Sequence, residues 1–295
     1  MSMHIRKAVV TAAGLGTRLL PNTKEIPKEM LPVFDLDPNG SICLKPVIHK
    51  VFETLYEAGI REFCFIVGRG KRAIEDYFTP DPLFLHMVRR RGLERRALAL
   101  ERFYNMILNS KIYFINQPEP RGFGDAVLTA EGFVGEEPFV LHAGDDVVLS
   151  RGNDHVKRLL RVYEEYGGDV ALISEKVEDP RMYGVIVPRP IKGRDDVVEI
   201  ADIVEKPEKP PSNFAVIGIY VLSPKIFDAL RRTEPDMKGE LQLTDGIRRV
   251  LKEGGNGYAL LLKSGEKRLD VGTPHSYYRA ITESYEYYSG VRERP

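Results

Sequence analysis

Residues 12–32, Ala12-Ala13-Gly14-Leu15-Gly16-Thr17-Arg18-Leu19-Leu20-Pro21-Asn22-Thr23-Lys24-Glu25-Ile26-Pro27-Lys28-Glu29-Met30-Leu31-Pro32, decide how this chain is read. The apolar run Ala8–Ala13 leads into them as a buried first strand. A glycine-rich loop follows and carries Arg18, Lys24 and Lys28. Glycines let backbone N–H groups approach an anion, and the cations add charge that amides lack, so the loop reads as a polyphosphate site at a strand end. Spacing excludes two familiar alternatives. No Gly-x-x-x-x-Gly-Lys-Ser/Thr string follows Gly14 or Gly16, and Leu19 stands where a dinucleotide fingerprint needs its third glycine. The glycines alone fit an ordinary strand-to-helix turn with solvated cations equally well.

The remaining pattern, Ala13-Gly14-x-Gly16-Thr17-Arg18-Leu19 followed by Pro27-Lys28, resembles the signature of sugar-1-phosphate nucleotidylyltransferases. Pro27-Lys28-Glu29-Met30-Leu31-Pro32 is similar to the uridylyl branch of that family, which joins UTP and glucose 1-phosphate to give UDP-glucose and pyrophosphate with Mg²⁺. The resemblance implies a Rossmann-like three-layer α/β fold with a mixed, mostly parallel central sheet. It also implies one catalytic domain over 1–295, with a nucleotide-binding half (6–150), a sugar-binding half (151–272) and a C-terminal helix (273–295).

Composition sets outer limits. The chain has 295 residues, 43% of them hydrophobic, enough for a substantial core. Lys+Arg and Asp+Glu both number 43, so no surplus charge favours bulk binding to nucleic acid or a membrane. No apolar run approaches the roughly 20 residues of a membrane span, and no signal peptide is read, so a cytoplasmic protein is expected. Cys64, inside the strand-like run 63–67, is expected to be a buried inert thiol.

Strand and helix patterns alternate through the first half. A helix is predicted over 46–59 and strands over 63–67, 111–116 and 138–143, with a long basic helical segment near 83–108. The second half reads as strands at 169–177, 182–188, 197–205 and 215–223, helices near 224–232 and 244–253, a strand at 258–263 and a Tyr-rich helix from Thr273. Parallel βαβ units place ligands at the carboxyl ends of strands, where the Gly14 loop lies.

Four further motifs follow in the order the family requires. Gln117 to Ala126 comes after a strand; a glutamine amide suits a pyrimidine edge, and by resemblance Gln117 and Gly122 read the base. Gly144-Asp145-Asp146 ends the strand 138–143, where a carboxylate can hold Mg²⁺ beside a substrate phosphate. The resemblance gives the metal to Asp145, and alternation turns Asp146 away. Val204-Glu205-Lys206-Pro207 implies sugar hydroxyls on Glu205 and the sugar phosphate on Lys206, with Gly184 meeting the sugar by its backbone. Alternation would aim Glu205 and Lys206 apart, so a break in the strand is required there. Asp270-Val271-Gly272-Thr273-Pro274 implies a second metal contact at Asp270, and Thr273 before Pro274 reads as a helix N-cap. Arg18 and Lys28 complete the implied catalytic set, with Ala13, Gly14 and Gly16 on the nucleotide. Two alternatives remain: a thymidylyl relative, or a non-catalytic sugar-nucleotide sensor. A homo-oligomer, dimer or tetramer, is expected, to which the 83–108 segment or the C-terminal helix contributes; on the latter Tyr278, Ile281 and Tyr285 share a face flanked by Tyr277, Ser284 and Tyr288.

Overall fold

A computed structural model describes residues 5–292. The ends of the expected 1–295 unit, including the last three residues of its C-terminal helix, lie outside the described residues. The first half runs β1 (Lys7–Ala12), the hairpin β2 (Pro32–Leu36) and β3 (Ile42–Pro46), α1 (Val47–Glu57), β4 (Glu62–Val67), α2 (Arg72–Tyr77), α3 (Pro82–Arg90), α4 (Glu94–Leu108), β5 (Lys111–Asn116), α5 (Phe123–Thr129), α6 (Glu131–Val134), β6 (Phe139–Ala143) and β7 (Asp146–Leu149). The second half runs α7 (Asp154–Tyr166), β8 (Val170–Lys176), β9 (Gly184–Ile191), β10 (Arg194–Glu205), β11 (Phe214–Leu222), α8 (Lys225–Arg231), α9 (Leu243–Lys252), β12 (Gly257–Leu261), β13 (Lys267–Asp270) and α10 (Pro274–Arg292).

Nine strands form one sheet in the order β5-β4-β1-β6-β11-β8-β12-β10-β9. Alternate residues of β1 and β4 enter two different cores. Val10, Phe63 and Phe65 face one side, and Val9, Cys64 and Ile66 face the other. Helices cover both faces, which gives the expected three layers and explains why these strands read as continuous apolar runs. Cys64 is buried, and burial pushes its thiol up to about 12, as an inert core residue requires.

The expectation of a mostly parallel sheet needs correction. Parallel pairing joins β1 to β4 and β6, β4 to β5, and β8 to β12. Antiparallel pairing joins β11 to β6 and β8, and β10 to β9 and β12. The reason is connection length. The nucleotide half crosses over through helices, whereas β9 and β10 are joined by a tight turn at Gly193 (φ 80°), which only antiparallel strands accept. The basic segment 83–108 is also two helices, broken at Gly92 (φ 70°), a backbone region that favours glycine.

The hairpin β2–β3 and the pair β7–β13 form two further small sheets. Asp35 of β2 is buried between Lys45 at 2.9 Å and Lys50 at 3.0 Å, and Lys45 also meets Glu53 at 2.6 Å. Burial works against the charged Asp35, but Lys50 and Lys45 outweigh it and hold its carboxyl down at about 2. A depressed carboxyl stabilises the fold in full above the unfolded value near 3.8, and loses that contribution as pH falls through about 2. That amounts to on the order of 2 kcal/mol. Asp35→Asn is therefore expected to flatten the acid limb of a urea-stability profile below pH ~5. Parallel acid limbs for the two proteins would dismiss this account.

Helix α10 begins with the predicted cap, Ser276 N donating to Thr273 Oγ1 at 3.0 Å. Its buried face carries Ala280, Ser284 and Tyr288 and packs on β2, where Phe34 N donates to Ser284 Oγ. Tyr288 and Ser284 thus belong to the core, while Tyr278 and Tyr285 stay exposed.

Candidate active site

The end of β1 leads into the glycine-rich loop. Leu19 is buried and anchors it, leaving Gly14 and Arg18 exposed, and Gly16 takes φ 66° with its carbonyl accepting from Thr23 Oγ1 at 2.7 Å. The backbone of Ala13 lies against Gly68 beyond β4, where a Cβ would fall 2.9 Å from Ala13 O. Lys28 enters from a single 3₁₀ turn (Lys28–Met30), and its Nζ would stand 3.8 Å from a Cβ on Gly14. Lys24 is exposed beside Glu25 at 3.6 Å.

Asp145 sits in the turn between β6 and β7, and Gly144 N donates to Thr11 O at 2.8 Å, clamping that turn to β1. The Lys28 ammonium is hydrogen bonded to Asp145. Burial lowers the Lys28 pKa, but Asp145 and Glu29 overcome it and hold the ammonium above its usual range. Burial likewise opposes the charged Asp145, but Lys28, and more weakly Arg268, keep its carboxyl below the usual range.

Asp146 turns away as alternation requires. It accepts from Arg268 Nε at 2.7 Å and Nη2 at 3.0 Å, and from Gly218 N at 3.0 Å. A Cβ at Gly218 would fall 2.5 Å from Ala143 Cβ and 2.9 Å from Asp146 Oδ2, so only glycine fits there. Asp146 is the register partner of Asp270 across β7–β13. Asp270 accepts from Gly272 N at 3.1 Å, and a Cβ on Gly272 would meet Arg18 Nη2 at 2.9 Å and Asp270 Oδ1 at 3.0 Å. Arg18 and Asp270 are thereby neighbours, although 252 residues separate them in sequence.

Arg268 joins this cluster to the sugar-side motif. Its guanidinium lies 5.1 Å from the centre of the Tyr183 ring, and Tyr183 O accepts from Lys206 N at 3.0 Å. The required strand break is a single residue: Lys206 has φ 38°, just past the end of β10, and its Nζ meets Glu205 Oε1 at 2.9 Å. Glu205 Oε2 accepts from Thr244 Oγ1 at 2.7 Å, and Gly184 is close to both, a Cβ there falling 3.1 Å from Thr244 Oγ1 and 3.3 Å from Glu205 Oε2.

Gln117 is buried beyond β5, donating from Nε2 to Asp125 Oδ2 at 2.7 Å. Gly122 has φ 107°, and a Cβ there would strike Leu241 O at 2.6 Å. Leu241 N donates to Arg121 O at 2.7 Å and Leu241 O accepts from Gly124 N at 2.8 Å. The base-side loop is thus pinned to the segment leading into α9 and Thr244.

Sequence reasoning missed the roles of Arg268, Thr244, Gly218, Glu29 and Lys71. Two of these left a signal. Arg268 stands two residues before Asp270 and so shares its strand face, and Gly218 interrupts an apolar strand, which marks a close approach. His142 is buried with Nδ1 2.7 Å from Ala143 O; burial lowers its pKa.

The loop after β1, the Gly144–Asp145 turn and the Glu205–Lys206 pair thus all border one mixed sheet. Residues 7–286 match the family described as Nucleotidyl transferase, and the chain belongs to that family. It is 37% identical to a UTP--glucose-1-phosphate uridylyltransferase of Pseudomonas aeruginosa, over 96% of both chains. It is 38% identical to one of Bacillus subtilis, over 96% of this chain and 90% of that one. Among solved structures, a UDP-glucose pyrophosphorylase complexed with UDP-glucose superimposes with a TM-score of 0.82 at 36% identity, over 96% of this chain and 99% of that one.

Proposed function

We infer that the chain is an enzyme, a UTP–glucose-1-phosphate uridylyltransferase, and that the residues assembled above carry the reaction. A phosphate oxygen of glucose 1-phosphate attacks the α-phosphorus of UTP, the bond to the β-phosphate breaks, and pyrophosphate leaves. The attacking oxygen is already anionic, so no general base is needed. Catalysis then rests on in-line positioning and charge neutralisation. The single observation that carries this reading is the Lys28–Asp145 pair at the adjoining ends of β1 and β6, beside the Gly14 loop.

In this reading Lys28 faces the α-phosphate and Arg18 the departing pyrophosphate. Lys206 holds the sugar phosphate, while Glu205, fixed by Thr244, and the Gly184 backbone receive the sugar hydroxyls. Ala13, Gly14 and Gly16 bring backbone to the triphosphate. Asp125 engages Gln117 Nε2, so the amide presents its carbonyl as an acceptor, which suits the imino N–H of uracil.

Mg²⁺ is assigned to Asp145, in the turn after β6, and to Asp270, beside Arg18. Among the described residues no group of three or more His, Cys, Asp or Glu is placed to hold a metal. Two carboxylates suit an ion that completes its shell with water and substrate phosphate. Mg²⁺ so held would supply charge neutralisation at the phosphates.

The halves 6–150 and 151–272 act as one catalytic unit. A homo-oligomer, dimer or tetramer, is also proposed: Tyr278 and Tyr285 on α10, and Leu83, Phe84 and Met87 on α3, leave apolar surface exposed. A monomer mass by light scattering at micromolar concentration would refute it. Among the described residues no helix is long and apolar enough to cross a membrane, and the free thiols Cys43 and Cys64 suit a cytoplasmic setting.

Pyrophosphate release, measured with UTP and dTTP against glucose-, galactose- and N-acetylglucosamine-1-phosphate, tests the reading. UTP with glucose 1-phosphate is expected to turn over fastest. A preference for dTTP would move the chain to the thymidylyl relatives, and no release with any pair would leave a sensor.

A further inference from the structure

We propose that Glu29 and Lys71 form a buried couple that positions Lys28, a role that rests on reading Lys28 as the cation facing the α-phosphate. Lys71 Nζ donates to Glu29 Oε2 at 2.8 Å, with the two side chains only 8% and 1% exposed. Both are buried and engaged with each other, and a fully buried ion pair is a weak source of net stability. Its placement suggests a different use. Glu29 directly follows Lys28 in the one-turn 3₁₀ helix, so fixing one side chain sets the backbone that presents the other.

The couple also gathers three strand-end loops. Lys71 ends the Gly68–Lys71 turn beyond β4, where Lys71 N donates to Gly68 O and Gly68 lies against Ala13 O. Glu29 Cγ lies against Gly144, 3.4 Å from where a Cβ would be, next to Asp145. The β1, β4 and β6 ends are thus locked around one ion pair, with Lys28 and Gly14 on its outer side. Burial pushes the Glu29 carboxyl up, and Lys71 and Lys28 offset this in part. Removing either partner lets the Lys28 turn drift relative to Asp145 and Gly14. A displacement of about 1 Å can cost a positioned reaction as much as ~100-fold.

A double-mutant cycle on the full chain tests this. Glu29→Gln and Lys71→Met should each lower kcat for pyrophosphate release ~10-fold or more, with KM for UTP within ~3-fold. In a Lys28→Ala background the same substitutions should cost no further ~2-fold in kcat, because the group they position is gone. Equal losses in both backgrounds would overturn the proposal, since a merely structural couple acts irrespective of Lys28. The joint Glu29→Gln/Lys71→Met variant leaves no buried ion unpaired and replaces any single variant that fails to fold. If Lys28→Ala alone keeps full kcat, the assignment of Lys28 falls. If Lys28→Ala is crippled while Glu29→Gln and Lys71→Met keep full kcat, only the couple falls.

Discussion

Asp145→Asn is expected to reduce turnover by ~100-fold or more while the protein stays folded, corresponding to about 3 kcal/mol of lost transition-state stabilisation. The substitution keeps the shape of the side chain and an oxygen that can accept from Lys28. What it removes is negative charge at the carboxyl end of β6, beside the proposed triphosphate. Asp146 cannot stand in, because both its oxygens are engaged by Arg268 and one of them also by Gly218 N. If Asp145 and Asp270 share the ion as proposed, the defect should deepen when Mg²⁺ is limiting, since Asp270 would then recruit it alone. Near wild-type turnover at limiting Mg²⁺ would show that Asp145 holds no metal. A melting temperature well below that of the wild type would instead make Asp145 a structural partner of Lys28.

Much of this arrangement was legible in the chain itself, for reasons that differ by element. Strands buried on both faces, such as Phe63–Val67, announce themselves as unbroken apolar runs. The hairpin Pro32–Pro46 does not, because Asp35 and Lys45 occupy positions that would otherwise be apolar and find their partners inside an ion cluster. The pair β7–β13 stays hidden since β7 continues the apolar run of β6 after only a two-residue turn. Among site residues, those with a chemical motif were readable one by one. The break predicted at Glu205–Lys206 even has the expected consequence, a left-handed Lys206 that returns its ammonium to Glu205. Glu29 and Lys71 were not readable, because an ion pair spanning 42 residues leaves no local pattern. Only the fold reveals that their loops meet.

Lys28→Ala and Lys206→Ala should fail in different substrates, each by roughly 10-fold or more in the affected parameter. Lys28 lies against Gly14 and Asp145, so its loss removes charge where UTP is proposed to react. It should lower kcat/KM for UTP most, and lower kcat as well, because charge shifts on the α-phosphoryl oxygens only as the new bond forms. Lys206 is half-exposed at the end of β10, tied to Glu205 and to Tyr183 O, and far in sequence from the nucleotide loop. Its ammonium is proposed to bind the sugar phosphate in the ground state and transition state alike. Loss of such uniform binding raises KM for glucose 1-phosphate while leaving kcat nearly unchanged. The left-handed backbone adds a control: Lys206→Gly relieves the φ 38° strain that Lys206→Ala retains, so a backbone contribution would separate the two variants, and a purely electrostatic role would not. Steady-state kinetics with each substrate varied in turn decide the matter. Identical profiles for Lys28→Ala and Lys206→Ala would end the division of the site into a nucleotide-facing and a sugar-facing cation.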